Sequence, residues 1–408
     1  MISNEQIIYF DNNATTQLDP AVIDEMMPFL TRYFGNPSSG YGFGSQVRGA
    51  IDLARQRLAN LLGCEPREVV FTSCGTESNN AAINSALQLD PTRQHIVTTA
   101  VEHSATSKHC ELLSKRGSSV TVVGVDCDGN LDLDELERAI TPQTAIISVM
   151  WANNETGVLF PIEQIAAMAQ KHRVLFHTDA IQAVGKIPIC LSTLPINSLA
   201  LSGHKLHGPK GVGALYVNKR SAFKPFVIGG SQENDRRGGT ENVASIVALG
   251  KAAECAMAAL EEEGTRVRAM RDRFETTIVE KVPNAFINGD RQARLPNTTN
   301  ISFPGIVSGA ALMMLDKHHL CCSAVSACRT GSLEASHVLR AMNLDVDRAR
   351  SSLRFSFGRY NTDEEVDRAL EIIPNVIAKL RGLSATSTAP RSTLSEAGAR
   401  RDGFRTVH

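Results

Sequence analysis

Leu199-Ala200-Leu201-Ser202-Gly203-His204-Lys205-Leu206-His207-Gly208-Pro209-Lys210-Gly211 is the stretch from which the rest of the chain is read. The apolar run that begins at Ile196 and ends at Leu201 predicts a buried strand, and the glycines and proline beyond it predict a tight turn. Lys205 therefore stands at the end of a buried strand among small residues. An ammonium group in apolar surroundings loses hydration, so its neutral amine becomes easier to reach. A neutral amine condenses with aldehydes, which makes Lys205 a candidate for covalent carbonyl chemistry.

Working outward, apolar runs at 68–71, 95–98, 119–123, 145–149 and 174–176 predict further buried strands. Amphipathic stretches at 76–89, 104–114, 133–140 and 162–171 lie between them and predict helices. Strands alternating with helices give an α/β fold class, a mostly parallel sheet covered on both faces. Ligands of such sheets sit outside the carboxyl ends of the strands. A long helical pattern over 242–279 leads out of this region. Shorter elements follow, with strands at 299–303 and 353–357 and helices at 308–316, from about Ser332, and at 363–380. The expected organisation is a large domain over 1–245 and a smaller α+β domain over 246–383, with residues 1–20 packing beside the smaller one. The Ser/Thr/Ala/Arg-rich segment 384–408 reads as a disordered tail.

Of 408 residues, 42% are hydrophobic and 21% charged, and the net charge of -1 gives no general pull toward nucleic acid or acidic membrane. No apolar run approaches the ~20 residues of a membrane span, and Met1 to Gln6 do not open a signal peptide. Cytoplasmic residence is the expectation. Nine cysteines, none in Cys-x-x-Cys spacing, support neither a zinc knuckle nor a dithiol redox pair.

The predicted carboxyl edge gathers the residues with chemical potential. Gly75-Thr76 opens a helix after a strand, where backbone N–H groups bind anions, phosphate above all; a simple helix cap is the other reading. The hydroxyls of Ser202 and Thr240 are further phosphate candidates. Asp179 ends a strand, either as a helix cap or as a carboxylate that keeps a pyridine nitrogen protonated. Gln182 and Asn154 are placed to bond a phenolic oxygen on such a ring. His103 reads as a structural residue or as a ring stacked on a cofactor and moving protons. Arg354, a cation inside an apolar strand, needs an anion; an internal carboxylate and a substrate carboxylate suit it equally. Cys328 lies in Ala324-Val325-Ser326-Ala327-Cys328-Arg329-Thr330-Gly331-Ser332, a small-residue loop where Arg329 and the expected helix start favour thiolate. No Walker A sequence and no complete G-x-G-x-x-G is present, so nucleotide binding is not supported.

Together these segments resemble the cysteine desulfurases, pyridoxal-phosphate enzymes of the aminotransferase class V group, and most nearly the nitrogen-fixation type. The likeness rests on Tyr9-Phe10-Asp11-Asn12-Asn13-Ala14-Thr15-Thr16, Phe34-Gly35-Asn36-Pro37-Ser38-Ser39, Phe71 to Ser78, Trp151 to Gly157, His177-Thr178-Asp179-Ala180, Gly203-His204-Lys205, Arg237 to Asn242 and Ser326-Ala327-Cys328. The resemblance implies the fold-type I aminotransferase architecture, with a seven-stranded sheet, working as a homodimer. It implies Lys205 as the covalent attachment point of pyridoxal 5'-phosphate, Asp179 on its ring nitrogen and His103 on its face. Gly75, Thr76, Ser202, Gly203 and His204 would hold the cofactor's phosphate end, with Thr240 reaching across from the second subunit. Asn154 and Gln182 would tune the ring, and Arg354 with Asn154 would hold the substrate L-cysteine. Cys328 would take the sulfur as a persulfide, and the same sulfur could ligate a [2Fe–2S] cluster shared with an iron–sulfur scaffold protein. Selenocysteine lyase, or another class V aminotransferase, is the alternative activity. The chain departs from the nitrogen-fixation pattern at Ala324-Val325 and Arg329-Thr330, where that type has Ser-Gly and Thr-Ser; a valine stiffens a loop that must swing.

Overall fold

The computed structural model describes residues 7–324 and 335–387, with side chains to residue 383. Its strands are β1 (Ile8–Tyr9), β2 (Val69–Thr72), β3 (His95–Thr99), β4 (Ser119–Val123), β5 (Thr144–Ser148), β6 (Leu175–Asp179), β7 (Ser198–Ser202), β8 (Gly213–Val217), β9 (Phe286–Ile287), β10 (Thr298–Ser302), β11 (Leu320–Cys321), β12 (Ser323–Ala324) and β13 (Ser352–Ser356).

Seven of them form one sheet in the order β2-β8-β7-β6-β5-β3-β4. Only β8 runs against the others. Strands β3, β5, β7 and β8 are buried along their whole length, which is why they read as continuous apolar runs rather than alternating ones. The edge strand β4 is the exception, with both Ser119 and Val122 exposed. Helices Gly75–Leu89, Ser104–Lys115 and Ile162–His172 cross over between parallel strands, as the alternation predicts. The carboxyl ends of β2, β3, β5, β6 and β7 then deliver Gly75, His103, Asn154, Asp179 and Lys205 to one edge.

A second, four-stranded antiparallel sheet, β12-β13-β10-β9, carries a separate aromatic core. The N-terminal strand β1 pairs with β11, and Phe10 packs on Phe357 and Phe274 at 4.6 and 5.9 Å between ring centroids. That anchorage leads Asp11, Asn12 and Asn13 between the two cores. Among the described residues no single helix is long and apolar enough to cross a membrane.

Two expectations change. The 242–279 pattern is two helices, Val243–Ala258 and Leu260–Lys281, bent by 53° with a π-helical turn at Glu263–Val267. Ile246 to Ala256 pack in the first core, and the second core begins at Val267, so the helix beginning at Val243 belongs with the large sheet. The helix start expected near Ser332 lies outside the described residues; the helix described beyond it is His337–Ala341, capped by Ser336, whose Oγ accepts from the Val338 and Leu339 N–H groups and donates to the buried Glu155. The last helix runs through Ser387, into what reads as tail.

Candidate active site

Lys205 lies in a single turn, Gly203–Lys205, directly after β7. The turn closes tightly because residue 203 is glycine: a Cβ there would meet Val212 Cγ1 at 2.9 Å and the Pro209 carbonyl at 3.0 Å. Gly203 thus shapes the turn and does not line the cavity into which Lys205 points. Lys205 Nζ donates to the Asn13 and Ala14 carbonyls at 2.5 and 2.6 Å. Burial, then the positive charge of Arg354, lowers its pKa to about 8, while Asp11 and Asp179 oppose the shift. The amine is a cation held on neutral acceptors and ready to lose its proton near neutrality.

A cavity of about 370 Å³ surrounds this amine. Its walls include Asn13, Gly75, Thr76, His103, Asn154, Asp179, Gln182, Ser202, His204 and Arg354. Ten of the sequence-derived candidates thus meet at one place, Lys205 among them. A wider cleft of about 1370 Å³ shares His103, Asn154 and Arg354 with it. The cleft is larger and has Lys108, Glu111, Lys115 and Glu155 in its walls, but Lys205 and Asp179 line only the smaller cavity.

Each wall has a chemical character. Helix Gly75–Leu89 starts at the cavity with no side-chain cap on its first N–H groups. A Cβ on Gly75 would fall 2.0 Å from Ile181 Cδ1, so only glycine lets the helix start lie against that residue. With Thr76, Ser202 and His204 alongside, this is an anion cradle of donors. Burial, then the Lys205 and Lys210 charges, lowers the His204 pKa to about 4, so it sits there neutral, with Nδ1 3.2 Å from Thr15 Oγ1. Opposite lies Asp179, 5% exposed. Both hydrogen bonds it accepts come from neutral amides, Ile181 N–H at 3.0 Å and Asn79 Nδ2 at 2.6 Å. Burial raises its pKa. A buried carboxylate served only by amides fits a cationic ligand atom.

His103 opens toward both cavity and cleft. Its Nδ1 accepts from Ala105 N–H at 3.1 Å, which leaves Nε2 as the proton-bearing atom in the neutral ring. Burial lowers its pKa. Arg354, on β13, has the internal anion that one of its readings expected: Nη2 pairs with Asp11 at 2.7 Å, Nη1 donates to the Asn154 carbonyl at 2.9 Å, and buried Nε has no partner among the described residues. That orphaned donor is available to a substrate carboxylate.

The structure adds residues the sequence reasoning did not single out. Asn13 accepts from Lys205 and Gln182 Nε2 on its carbonyl and from Lys186 and Asn297 on Oδ1, and donates through Nδ2 to Thr298. Lys186, fully enclosed and lowered to a pKa of about 7 chiefly by burial, donates to Gln182 Oε1 at 2.8 Å. Asn13 entered the sequence reading only within the Tyr9 to Thr16 segment that carries the resemblance, with no role of its own, and Lys186 is marked only as a lysine four positions past Gln182.

One further candidate lies elsewhere. Thr240 is exposed and lines a separate cavity with Thr72, Ser73 and Arg237, the last paired with Glu77 at 3.0 Å. Within one chain, then, Thr240 does not join the phosphate cradle. Cys328 lies outside the described residues; Ala324 and Ala335, the described residues on either side, both line the cleft.

Residues 8–369 match the aminotransferase class-V family. A cysteine desulfurase of Nostoc sp. (strain PCC 7120) is 50% identical over 378 residues, 93% of this chain and 94% of that protein. Cysteine desulfurase NifS of Azotobacter vinelandii is 50% identical over 378 residues, 92% of this chain and 94% of the relative. A solved NifS-like protein superposes with a TM-score of 0.86 at 36% identity, over 91% of this chain and all of the other.

Proposed function

The chain belongs to the aminotransferase class-V family, and from that premise we propose that it is a pyridoxal-phosphate-dependent cysteine desulfurase, taking sulfur from L-cysteine and releasing L-alanine. The observation that carries this reading is the meeting, in one cavity, of the depressed amine of Lys205, the amide-served carboxylate of Asp179 and the anion cradle at Gly75.

The residues present fit pyridoxal phosphate. Gly75, Thr76, Ser202 and His204 would hold its phosphate, Asp179 its ring nitrogen, Gln182 and Asn154 its phenolic oxygen, and His103 its face. Bound there, the group supplies an aldehyde to amines and a ring that stores electrons released at a substrate's Cα. The chain's own residues do the rest. Arg354 Nε orients the substrate carboxylate. The neutral amine of Lys205 takes the Cα proton, which its low pKa permits near neutrality. Cys328 thiolate attacks the substrate's sulfur: an S–S bond forms, the C–S bond breaks, and its electron pair stays with carbon; a proton delivered through His103 completes the methyl group, and Lys205 returns to Cα the proton that it took. Cys328 is left as a persulfide that an iron–sulfur scaffold protein would collect, in keeping with the nitrogen-fixation type.

The working unit in this reading is a homodimer. Phe34 and Ile228 stand 78% and 86% exposed, large apolar side chains that a second subunit would cover. Thr240, away from its own chain's cavity, would complete the partner's phosphate cradle.

The direct test is to supply sulfur-labelled L-cysteine to the purified protein and map the label. L-Alanine equal in amount to labelled sulfur on the Cys328 peptide is the expected result; label lost as free sulfide without alanine contradicts the assignment. A pH test follows from the lysine. Only the neutral amine captures an aldehyde, so protein stripped of cofactor should take up pyridoxal phosphate about tenfold faster per pH unit as pH rises, levelling off near the Lys205 pKa of about 8. Stopped-flow absorbance that keeps climbing to the ordinary lysine value of 10.5 would contradict the depressed pKa.

A further inference from the structure

Asp179 is the end of a hydrogen-bonded line that runs back through the sheet. Asn79, on helix Gly75–Leu89 and 0% exposed, gives Nδ2 to Asp179 Oδ2 at 2.6 Å. Its Oδ1 lies 2.9 Å from His177 Nε2. His177 Nδ1 lies 2.9 Å from Ser198 Oγ, across the β6–β7 register that pairs these two residues. His177 is wholly buried, and burial holds its pKa down at about 3, so the ring is neutral.

A neutral imidazole carries one donor and one acceptor. Because Asn79 has committed its amide group to Asp179, only its carbonyl faces His177. Nε2 must therefore be the protonated nitrogen, and Nδ1 must accept from the Ser198 hydroxyl. All three bonds then point the same way: Ser198 donates to His177, His177 to Asn79, and Asn79 to Asp179. Reversing the line would turn the Asn79 carbonyl against the carboxylate and demand the other tautomer. In a buried interior, aligned bonds of this kind polarise one another. The arrangement stabilises a carboxylate and has nothing to offer a carboxylic acid at Oδ2.

We propose that Asn79 and His177 are positioning residues that hold Asp179 ionised and aimed into the cavity, and through it keep the cofactor's ring nitrogen protonated. This rests on the reading that the cavity takes pyridoxal phosphate. A merely structural role would satisfy the same buried polar atoms but would leave the ring nitrogen indifferent to them.

The holoenzyme loaded with pyridoxal phosphate carrying ¹⁵N in the ring separates the two. Wild type should give a protonated-pyridine ¹⁵N signal that persists from acid into mildly alkaline solution. Asn79→Leu, which removes the donor while filling its space, should move that signal toward the unprotonated position and lower kcat by about 10- to 100-fold, the usual scale for losing a supporting shell, with KM changed far less. His177→Gln, whose amide can still donate to Asn79, should restore most of both. Ser198→Ala, at the far end of the line and least disruptive to folding, should shift the signal the same way by a smaller amount. Loaded Asn79→Leu protein with the wild-type signal overturns the proposal; if that variant does not fold, an unmoved signal in Ser198→Ala together with His177→Phe overturns it equally. Wild type that takes up no labelled cofactor would instead sink the reading of the cavity, and the proposal with it.

Discussion

Lys205→Ala should leave a folded protein that forms no hydride-stable adduct with pyridoxal phosphate and makes alanine from cysteine at least about 10³-fold more slowly than wild type. The size follows from the loss of two functions at one atom: the amine is both the attachment point and the base. The protein should survive because the side chain lines a cavity and is only partly buried. Its removal strips one donor from the Ala14 carbonyl and one from the Asn13 carbonyl, but the latter keeps Gln182 Nε2. Each net hydrogen bond is worth about 1 kcal/mol, so the melting temperature should fall by only a few degrees. Arginine at the same position keeps a charge yet cannot become a neutral amine, so Lys205→Arg should be as inactive. Borohydride reduction followed by peptide mass mapping is the check: wild type should carry the reduced adduct on the Lys205 peptide, and neither variant should. A Lys205→Ala protein that keeps a tenth of the activity would remove the lysine from the mechanism. Lys210→Ala, which changes an exposed lysine a few residues beyond that turn, serves as the control and should behave as wild type.

Lys205, Asp179 and Gly75 were legible because each breaks a local pattern: a charge or a glycine at the end of an apolar strand, where an α/β sheet puts its ligands. The residues that hold them were not legible, for two physical reasons. Some of the polar pairs are distant in the chain. Asn13 meets Lys186 and Lys205 across 173 and 192 positions, and no local period records such a meeting. Others depend on burial that no local pattern records: His177, Thr178 and Asp179, at the end of β6, are all buried, and tertiary partners satisfy the side chains of His177 and Asp179. Similar reasoning explains the helix ends. Periodicity could not see the bend at Ala259, which has no proline to announce it. Composition does not mark Ser336 as a cap; the buried Glu155 that it reaches is visible only in three dimensions. Arg354 shows the converse case: the internal carboxylate that one reading expected is Asp11, and the guanidinium keeps a donor beyond it.

Cys328→Ala should bind pyridoxal phosphate normally, keep its visible absorbance, and form neither persulfide nor alanine from L-cysteine above about 10⁻³ of the wild-type rate. The expectation is sharp because the other thiols at the cleft are poorly suited to replace it. Cys110 is buried and its pKa is pushed up to about 12; Cys322 is raised further still, chiefly by desolvation. Both stay protonated near neutrality, and a protonated thiol is a weak nucleophile toward sulfur. Cys328 sits in the only sequence segment that joins Ala324 to Ala335, two residues of the cleft that shares His103, Asn154 and Arg354 with the Lys205 cavity. A thiol on that segment is tethered to the approach that a substrate sulfur would face. The same variant separates the desulfurase from a selenocysteine lyase, which breaks its carbon–chalcogen bond without requiring a loop cysteine. If Cys328→Ala still yields alanine from selenocysteine at the wild-type rate while failing with cysteine, the lysine machinery is shared and the thiol alone confers sulfur chemistry. If it still releases sulfur from cysteine, the thiol is dispensable and the lyase reading takes precedence.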